Sequence, residues 1–392
     1  MNRIYLDYTA TTPMDRRVYD SMATFHTEVF GNASSIHSFG REAKAALEES
    51  REKIATLIGS RPSELFFTSG GTESDNAALF GIASVAPGHG RRHIVISSIE
   101  HHAVLHAAEH LKNSGFSVTL VGVDESGFLA PSRLERAVTE NTLLVSVIHA
   151  NNEIGTLQDL KALADVAHEK GALFHTDAVQ SFGKVPLDVA GLGADLSSFT
   201  AHKLYGPKGI GALYIRRGID FEPVFHGGAQ ERNRRPGTES VPLAVGFATA
   251  AEIAVEELDR ESKRLAELNA VMRKRIAAEI PSALFNSPIE GAIPNILSLS
   301  IDSSQMQIDG DALIVNLDLE GIAVTSGSAC SSGSLQPSHV IKSLGRDDMT
   351  TAATIRFSLG RFTTEAEIHR AVDVLANVVG RIGKRKRTIS AV

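Results

Sequence analysis

Short β-rich runs alternate with helical stretches between about residues 69 and 215, and this alternation constrains the fold more than any other feature of the chain. The runs are apolar almost throughout, as strands are when helices cover both faces of a parallel sheet. The pattern therefore predicts an α/β fold with a mostly parallel sheet. The predicted strands of this region are 93–97, 117–121, 143–148, 173–176, 196–199 and 212–215.

Ligands of such sheets bind beyond the carboxyl ends of the strands, where two polar residues are expected. Asp177 follows one predicted strand and Lys203 follows the next. A Schiff-base lysine, with a carboxylate that keeps a pyridinium nitrogen charged, is what pyridoxal phosphate (PLP) chemistry requires of a protein. Such an Asp is more often an N-cap, and most lysines lie on the surface. Thr200 and His202 can donate to a phosphate beside Lys203, which favours it over its rival Lys208.

A glycine pair opens a predicted helix after the apolar run 65–67. There Gly71 and Thr72 would let backbone amides and a hydroxyl reach a phosphate at a helix N-terminus. Taken alone, the segment 69–74 is more often a plain turn. It lacks the lysine of a P-loop and the spacing of a dinucleotide fingerprint, which disfavours nucleotide binding.

Three further polar residues follow predicted strands. Gln180 is placed to reach the ring hydroxyl of a pyridoxal, and the imidazole of His101 is placed to stack on an aromatic ring. Asn152 lies in the segment 151–155, whose amides would orient a carboxylate or the cofactor, although Asn is also a common turn residue. His102 is interpreted as exposed, and two adjacent histidines lack the third convergent ligand of a metal site, so no metal is expected.

The single cysteine, Cys330, lies in a run of Gly and Ser from 326 to 334. A lone cysteine is most often a small buried hydrophobe, but this composition is typical of a solvated loop and suits a nucleophile that must travel. One cysteine also excludes an internal disulfide and any multi-cysteine metal site formed by one chain. Arg356 is flanked by apolar residues, and a bound carboxylate would supply the partner that its burial requires.

The second half of the chain predicts a different architecture. A helical pattern over 243–280 ends before Pro281 and is a plausible spine between two domains. Beyond it, strands alternate with helices in a compact α+β pattern, and 392 residues are too many for one core. The expected domains are a large one at 15–260 and a small one formed by 1–14 and 261–392, with the cysteine loop at about 325–336.

Charge and hydropathy limit the kinds of partner that the chain is expected to bind. The net charge of -7 argues against wholesale nucleic-acid binding, because phosphate neutralisation needs a basic face. The basic residues 384–387 are interpreted as a solvated terminus. No signal peptide is recognised, and charges interrupt every apolar run before it reaches membrane-spanning length. A cytoplasmic protein with no membrane partner is expected.

Taken together, these motifs resemble the PLP-dependent cysteine desulfurases of the NifS/IscS type, within the class V aminotransferase superfamily. The resemblance runs almost end to end, and the ordered set is far more specific than any single motif. It comprises residues 5–13, 30–37, 69–74, 100–101, 151–155, 177–180, 201–203, 227–238, 326–330 and 356–360.

The resemblance implies a homodimer of fold type I, with a seven-stranded, mostly parallel sheet in the large domain and a smaller α+β domain. It also implies a role for each candidate residue. By this resemblance Lys203 forms the Schiff base, His101 stacks on the ring and transfers protons, Asp177 binds the pyridinium nitrogen, and Gln180 binds the ring hydroxyl. Phosphate binding falls to Gly71, Thr72, Thr200, His202 and, across the dimer interface, Thr238. Asn32 and Arg356 would bind substrate, Asn152 both cofactor and substrate, and Cys330 would accept the sulfur.

The implied reaction converts L-cysteine to L-alanine and leaves a persulfide for transfer to an iron-sulfur scaffold or a thiolation enzyme. Relatives commonly have Ser where Thr200 stands, a change that keeps the hydroxyl. The sequence after Gly380 lacks the longer extension with which some relatives grip a scaffold, which leaves the acceptor open. A selenocysteine lyase or an aminotransferase of the same superfamily is the nearest alternative. A non-catalytic sulfur carrier or assembly subunit is the alternative from another class.

Overall fold

Fourteen strands form within residues 3–327 and 337–385, the ranges that the computed structural model describes. They are β1 (Ile4–Tyr5), β2 (Leu65–Thr68), β3 (His93–Ser97), β4 (Ser117–Val121), β5 (Thr142–Ser146), β6 (Leu173–Asp177), β7 (Leu196–Thr200), β8 (Gly211–Ile215), β9 (Ala283–Phe285), β10 (Ile296–Ile301), β11 (Met306–Gln307), β12 (Ile322–Ala323), β13 (Thr354–Ser358) and β14 (Lys384–Arg385).

Seven of these strands form one sheet in the order β2-β8-β7-β6-β5-β3-β4. The strands from β7 to β4 along this order pair in parallel, whereas β8 is antiparallel to both of its neighbours. Strand β2 therefore runs in the same direction as the parallel strands, and all carboxyl ends except that of β8 meet at one edge. The predicted α/β fold with a mostly parallel seven-stranded sheet is confirmed.

Helices connect the strands and cover the sheet. They are α1 (Arg16–Met22), α2 (Thr24–Thr27), α3 (Ser38–Leu57), α4 (Gly71–His89), α5 (His102–Asn113), α6 (Pro131–Ala137), α7 (Leu160–Glu169), α8 (Gln230–Asn233), α9 (Val241–Glu256), α10 (Leu258–Glu279), α11 (Gly310–Leu319), α12 (His339–Ser343), α13 (Asp348–Ala352) and α14 (Glu365–Ile382), with short 3-10 helices at Pro62–Glu64 and Ala201–Lys203.

Both faces of the sheet are buried, as the apolar strand sequences require. Along β8, Ala212 and Tyr214 join the apolar cluster on one face, and Leu213 and Ile215 join the cluster on the other. Successive side chains of a strand point to opposite faces, so a strand covered on both sides is apolar at every position. All five residues of β8 are buried accordingly.

A separate apolar cluster joins the beginning of the chain to its last third. It includes Leu6, Met272, Leu299, Phe357 and Leu375. Strand β1 pairs in parallel with β12, and β10 lies between β9 and β13 in an antiparallel sheet. This cluster draws on both segments that we assign to the small domain, whose boundaries stay a prediction.

The single helix predicted over 243–280 is wrong in one respect, because the structure divides it at Glu257. The Glu257 carboxylate accepts a hydrogen bond from Arg17 (3.1 Å) and forms an ion pair with Arg361 (2.8 Å). Helix α9 packs against α3, whereas α10 packs against α14. Because of this division, α9 packs into an apolar cluster on one face of the large sheet, and α10 packs into the cluster of the last third of the chain.

Candidate active site

A cavity of about 330 Å³ lies at the sheet edge where the parallel strands end. Asp177 is the last residue of β6, and Lys203 closes the 3-10 helix that follows β7. Helix α4 and the segments after β3 and β5 complete the sheet side of the cavity. The predicted site residues that the structure brings together here are Gly71, Thr72, His101, Asn152, Asp177, Gln180, Thr200, His202, Lys203 and Arg356.

Asp177 is a buried carboxyl, 4% exposed. Its Oδ1 accepts a hydrogen bond from the Val179 amide at 2.9 Å. Burial raises the pKa of Asp177 to about 6, against the opposing effects of this bond and of the Lys203 charge. A cation brought close to such a carboxyl favours its ionised form, and a protonated pyridine nitrogen is such a cation.

The Lys203 ammonium donates to the backbone carbonyls of Thr9 and Ala10, the latter at 2.8 Å. Burial lowers the pKa of Lys203 to about 8, and the Arg356 charge lowers it further, while two nearby carboxylates oppose the shift. A lysine of lowered pKa has a larger neutral fraction near neutral pH than an ordinary lysine, and the neutral amine is the form that attacks an aldehyde. Lys208, the rival candidate, is exposed and does not line the cavity.

The N-terminus of α4 offers a place for a phosphate. Gly71 and Thr72 are the first residues of this 19-residue helix. Its first amides lack intrahelical partners and carry the positive end of the helix dipole. A Cβ on Gly71 would lie 2.6 Å from Val179 Cγ2, so glycine is required where this turn approaches the segment after β6.

Two further donors flank Lys203. The Thr200 hydroxyl donates to the Ile210 carbonyl at 3.1 Å, and it would have to turn from that bond to reach a phosphate. Nδ1 of His202 lies 3.2 Å from the Thr11 hydroxyl. Burial, with the Lys203 charge second, lowers the pKa of His202 to about 4, so the imidazole is neutral and carries one N–H donor.

His101 is the N-cap of α5, and its Nδ1 accepts a hydrogen bond from the Ala103 amide at 3.1 Å. This bond assigns the imidazole proton to Nε2. Burial by the surrounding protein and the Lys203 charge lower the pKa of His101 to about 4. The ring that lines the cavity is therefore neutral.

Gln180 is held by two hydrogen bonds. Its Nε2 donates to the Thr9 carbonyl at 3.0 Å, and its Oε1 accepts from the Lys184 ammonium at 2.9 Å. One amide hydrogen remains for a ligand at the cavity. The residues from Thr9 to Ala10 thus bond to both Gln180 and Lys203.

Arg356 is buried on β13, 4% exposed. Its Nη1 donates to the Asn152 carbonyl and its Nη2 to Asp7 Oδ1, each at 2.8 Å. Its Nε is buried with no hydrogen-bond partner among the described residues. An unpaired buried donor is costly, and a substrate carboxylate would satisfy it.

Two predicted site residues do not lie in this cavity, and a third falls outside the part of the chain that the structure describes. Asn32 and Thr238 are exposed and are absent from its described lining. Cys330 lies outside the described residues, although Thr325 and Gly327 on its amino-terminal side line the cavity. The roles of these three residues stay predictions.

The sequence reasoning missed Asp75, which lines the cavity from α4. Asp75 is 1% exposed, and its Oδ1 has no hydrogen-bond partner in the part of the chain that the structure describes. Burial raises its pKa well above the ordinary value, and the charge of Asp177 adds to this effect. A signal was present, since Asp75 is a charged residue just before the apolar face of α4 at 77–79.

The donor set of the cavity fits PLP. The buried carboxyl of Asp177 suits its ring nitrogen, and the low-pKa amine of Lys203 suits its aldehyde. The helix amides at Gly71 suit its phosphate, and the Arg356 Nε suits the carboxylate of an amino-acid substrate.

Within residues 3–327 and 337–385, no three His, Cys, Asp or Glu side chains are arranged to hold a metal ion. None of the helices in the same ranges combines the length and apolar character needed to cross a membrane.

Comparisons with known proteins agree with this geometry. Residues 4–371 match the model of the family described as aminotransferase class-V. The chain is 45% identical to a cysteine desulfurase IscS of Dictyoglomus turgidum, over 99% of this chain and 96% of that protein. The structure of a NifS-like protein superposes with a TM-score of 0.90 at 38% identity, covering 97% of this chain and 100% of that one.

A further solved structure, described as SspA in complex with cysteine, has a TM-score of 0.80 at 35% identity and covers 92% of this chain and 99% of that one. Similarity at these levels extends over both apolar cores and the whole cavity. The chain belongs to the class-V aminotransferase family and, within it, to the cysteine desulfurases.

Proposed function

We propose that this protein is a PLP-dependent cysteine desulfurase that converts L-cysteine to L-alanine and retains the sulfur on Cys330 as a persulfide. The supporting observation is one cavity that joins the buried carboxyl of Asp177, the low-pKa amine of Lys203 and the unpaired Nε of Arg356. The similarity to IscS relatives over nearly the whole chain supports the same reaction.

When bound, PLP supplies an electron sink for the negative charge that develops at the substrate Cα. Asp177 would keep the ring nitrogen protonated, since an ionised carboxyl beside a cation is favoured over two neutral groups in a buried site. Lys203 would hold the aldehyde carbon and then, as a free amine, remove the proton from Cα. His101, neutral and protonated at Nε2, would cover the ring.

The phosphate would be bound by the first amides of α4 at Gly71 and Thr72, with donors from Thr200 and His202. Gln180 would donate its remaining amide hydrogen to the ring hydroxyl. These contacts would hold the cofactor at both ends, beside Lys203.

Arg356 and Asn152 would bind the substrate. Because Nη1 and Nη2 of Arg356 are already bonded to Asn152 and Asp7, the guanidinium is fixed before cysteine arrives, and its Nε is the donor left for the carboxylate. A fixed cation orients the Cα proton towards the base at little entropic cost. Asn32 is proposed to contact substrate from an exposed position.

In the sulfur step, the thiolate of Cys330 would attack the substrate sulfur. The Cβ–S bond breaks, an S–S bond forms, and Cβ takes up a proton, which gives alanine and a Cys330 persulfide. The atoms and electrons balance without an external oxidant, and the nucleophile must be the thiolate.

We further infer a homodimer in which Thr238 contributes to the phosphate site across the interface, a role that suits its exposed position. The sulfur acceptor is proposed to be a protein, either an iron-sulfur scaffold or a thiolation enzyme. The cytoplasmic location stays a prediction.

A cysteine-to-alanine assay on wild type, Lys203→Ala and Cys330→Ala, with a persulfide-specific label, tests the proposal. We expect alanine and labelled Cys330 from wild type and neither from Lys203→Ala. Full alanine release by Cys330→Ala would favour a lyase that does not need this thiol, and a parallel assay with selenocysteine identifies it. Formation of the 2-oxo acid of cysteine in place of alanine would favour an aminotransferase. A protein that cannot be reconstituted with PLP would favour the non-catalytic carrier.

A further inference from the structure

Glu153 is a buried carboxyl for which the reaction described above has no use. It lies in the turn after β5 and is 4% exposed. Its backbone amide donates to Asn151 Oδ1 at 2.8 Å, and Asn151 in turn donates to the Ile99 carbonyl at 2.8 Å. The position of Glu153 is therefore set by the same segments that carry Asn152 and His101.

The Glu153 side chain is bonded to the chain just after the segment 328–336. We define the two loop roots as residues 325–327 and 337–339. Ser338 is the N-cap of α12, and its Oγ accepts from the amides of Val340 (3.1 Å) and Ile341 (3.2 Å). The hydroxyl has a single proton, and it donates this proton to Glu153 Oε2 at 2.6 Å.

The same carboxylate oxygen lies close to the other loop root, where it leaves no room for a side chain. Gly327 has a φ of +93°, and a Cβ there would lie 2.9 Å from Glu153 Oε2. Two residues earlier, the Thr325 carbonyl accepts a hydrogen bond from the Arg356 amide at 2.7 Å. Glu153 Oε2 thus accepts a hydrogen bond from one root and lies close to the other. It belongs to a turn whose neighbouring carbonyl, that of Asn152, binds the Arg356 side chain.

A second bond ties the later root to the cavity. Nε2 of His339 lies 2.9 Å from the Glu100 carbonyl, directly before His101 in the chain. Ser338 and His339 are therefore fixed on the turns that carry Asn152 and His101 respectively. These contacts fix the position of the later root.

We propose that Glu153 is a positioning residue for sulfur transfer. Its carboxylate fixes the distance between the two loop roots and their placement relative to Arg356, and so sets where the segment bearing Cys330 begins and ends. This inference rests on the proposed function, because it assigns to Glu153 the sulfur step and not the steps at Cα.

The test compares Glu153→Ala, Ser338→Ala, the double variant and Glu153→Gln in the PLP-loaded full chain. Glu153→Ala and Ser338→Ala each remove one partner of the 2.6 Å bond, whereas Gln keeps an acceptor oxygen. Thr364→Ala is the matched control, since it removes the N-cap of α14, which accepts from the Glu367 amide away from the loop roots.

Two readouts are taken in a single turnover: the absorbance change when cysteine binds, and the rate of persulfide formation at Cys330. For Glu153→Ala and Ser338→Ala we expect persulfide formation to slow by about 10- to 100-fold, because a displacement near 1 Å has such an effect. The rate of the absorbance change on cysteine binding stays within about threefold of the wild-type rate. In the double variant, the loss in the rate of persulfide formation is smaller than the two single losses combined, because both variants break the same bond. Glu153→Gln restores most of the rate, and Thr364→Ala leaves it unchanged.

Persulfide formation at the wild-type rate in Glu153→Ala, or in Ser338→Ala if the first variant does not fold, would overturn the inference. So would equal losses in both readouts, since these indicate a general structural role. If the wild type itself forms no Cys330 persulfide, the proposed function fails and the inference fails with it, so the two failures are told apart.

Discussion

The two sides of the cavity are built differently. On the sheet side, Asp177 ends strand β6 and Lys203 follows the adjacent parallel strand β7. On the opposite side, Arg356 is held by Asp7 and Asn152, which come from distant parts of the chain. In the proposed mechanism, the covalent step would therefore depend on groups that follow the strands of one sheet, whereas substrate orientation would depend on polar contacts between distant segments. Substitutions on the two sides should change different kinetic constants.

The largest effect is expected from Lys203→Ala on the sheet side. Loss of the amine removes both the attachment of the cofactor and the base at Cα, so alanine release should fall by at least about 10³-fold. Lys208→Ala is the control, because Lys208 is an exposed lysine in the same loop. Alanine formation, followed by mass spectrometry, is the measurement, and equal losses in both variants would contradict the assignment.

Asp177→Asn should lower kcat by about 100-fold, because a neutral amide no longer favours a charged ring nitrogen. The Michaelis constant for cysteine should change little, since Asp177 lies on the sheet side. Asp165→Asn, which alters an exposed ion pair with Lys161, is the matched control. A rise in the Michaelis constant without a fall in kcat would break the distinction between the two sides.

Arg356→Lys should show the reverse pattern. Charged hydrogen bonds contribute about 1.5–3 kcal/mol, so the loss of the guanidinium fork should raise the Michaelis constant by about 10- to 100-fold. Arg381→Lys changes an exposed pair with Glu320 and should have no effect. Steady-state kinetics with cysteine measure both, and an unchanged Michaelis constant in Arg356→Lys would remove the carboxylate contact from the mechanism.

The smallest effect concerns pH. Because burial lowers the pKa of Lys203 to about 8, its amine is mostly charged below that pH and mostly neutral above it. The rate at which the apo-protein takes up PLP should therefore rise with pH and level off above about 8, whereas free lysine continues to gain up to about 10.4. Arg356→Gln removes a positive neighbour and should move the midpoint to higher pH. A midpoint near that of free lysine would contradict the burial of the amine.

The sheet side was predictable from the sequence because its signals are local. An apolar run followed by a polar residue marks both a strand and its carboxyl end, and parallel strands bring those ends together. This is why Asp177, Lys203 and the α4 turn were identified with their elements. Strands β3 and β4 also have the bounds that the sequence predicted.

The opposite side was less predictable because its contacts have no local pattern. The Arg356 partner Asp7 is 349 positions away in the chain, and the backbone carbonyls that hold Lys203 carry no sequence signature. The division at Glu257 arises from ion pairs with Arg17 and Arg361, which helix periodicity does not encode. Asp75 was missed because its role depends on Asp177, whose charge acts on it although the two residues lie about 100 positions apart in the chain, on α4 and β6.

The segment from Ile4 to Thr12 bears on how the enzyme matures during translation. It supplies the carbonyls that hold Lys203, yet its own strand partner, β12, is synthesised after every strand of the large sheet. The large sheet can form on the nascent chain before that point, but the environment of the reactive lysine cannot. Lys203 therefore reaches its final environment only after the large sheet has been synthesised.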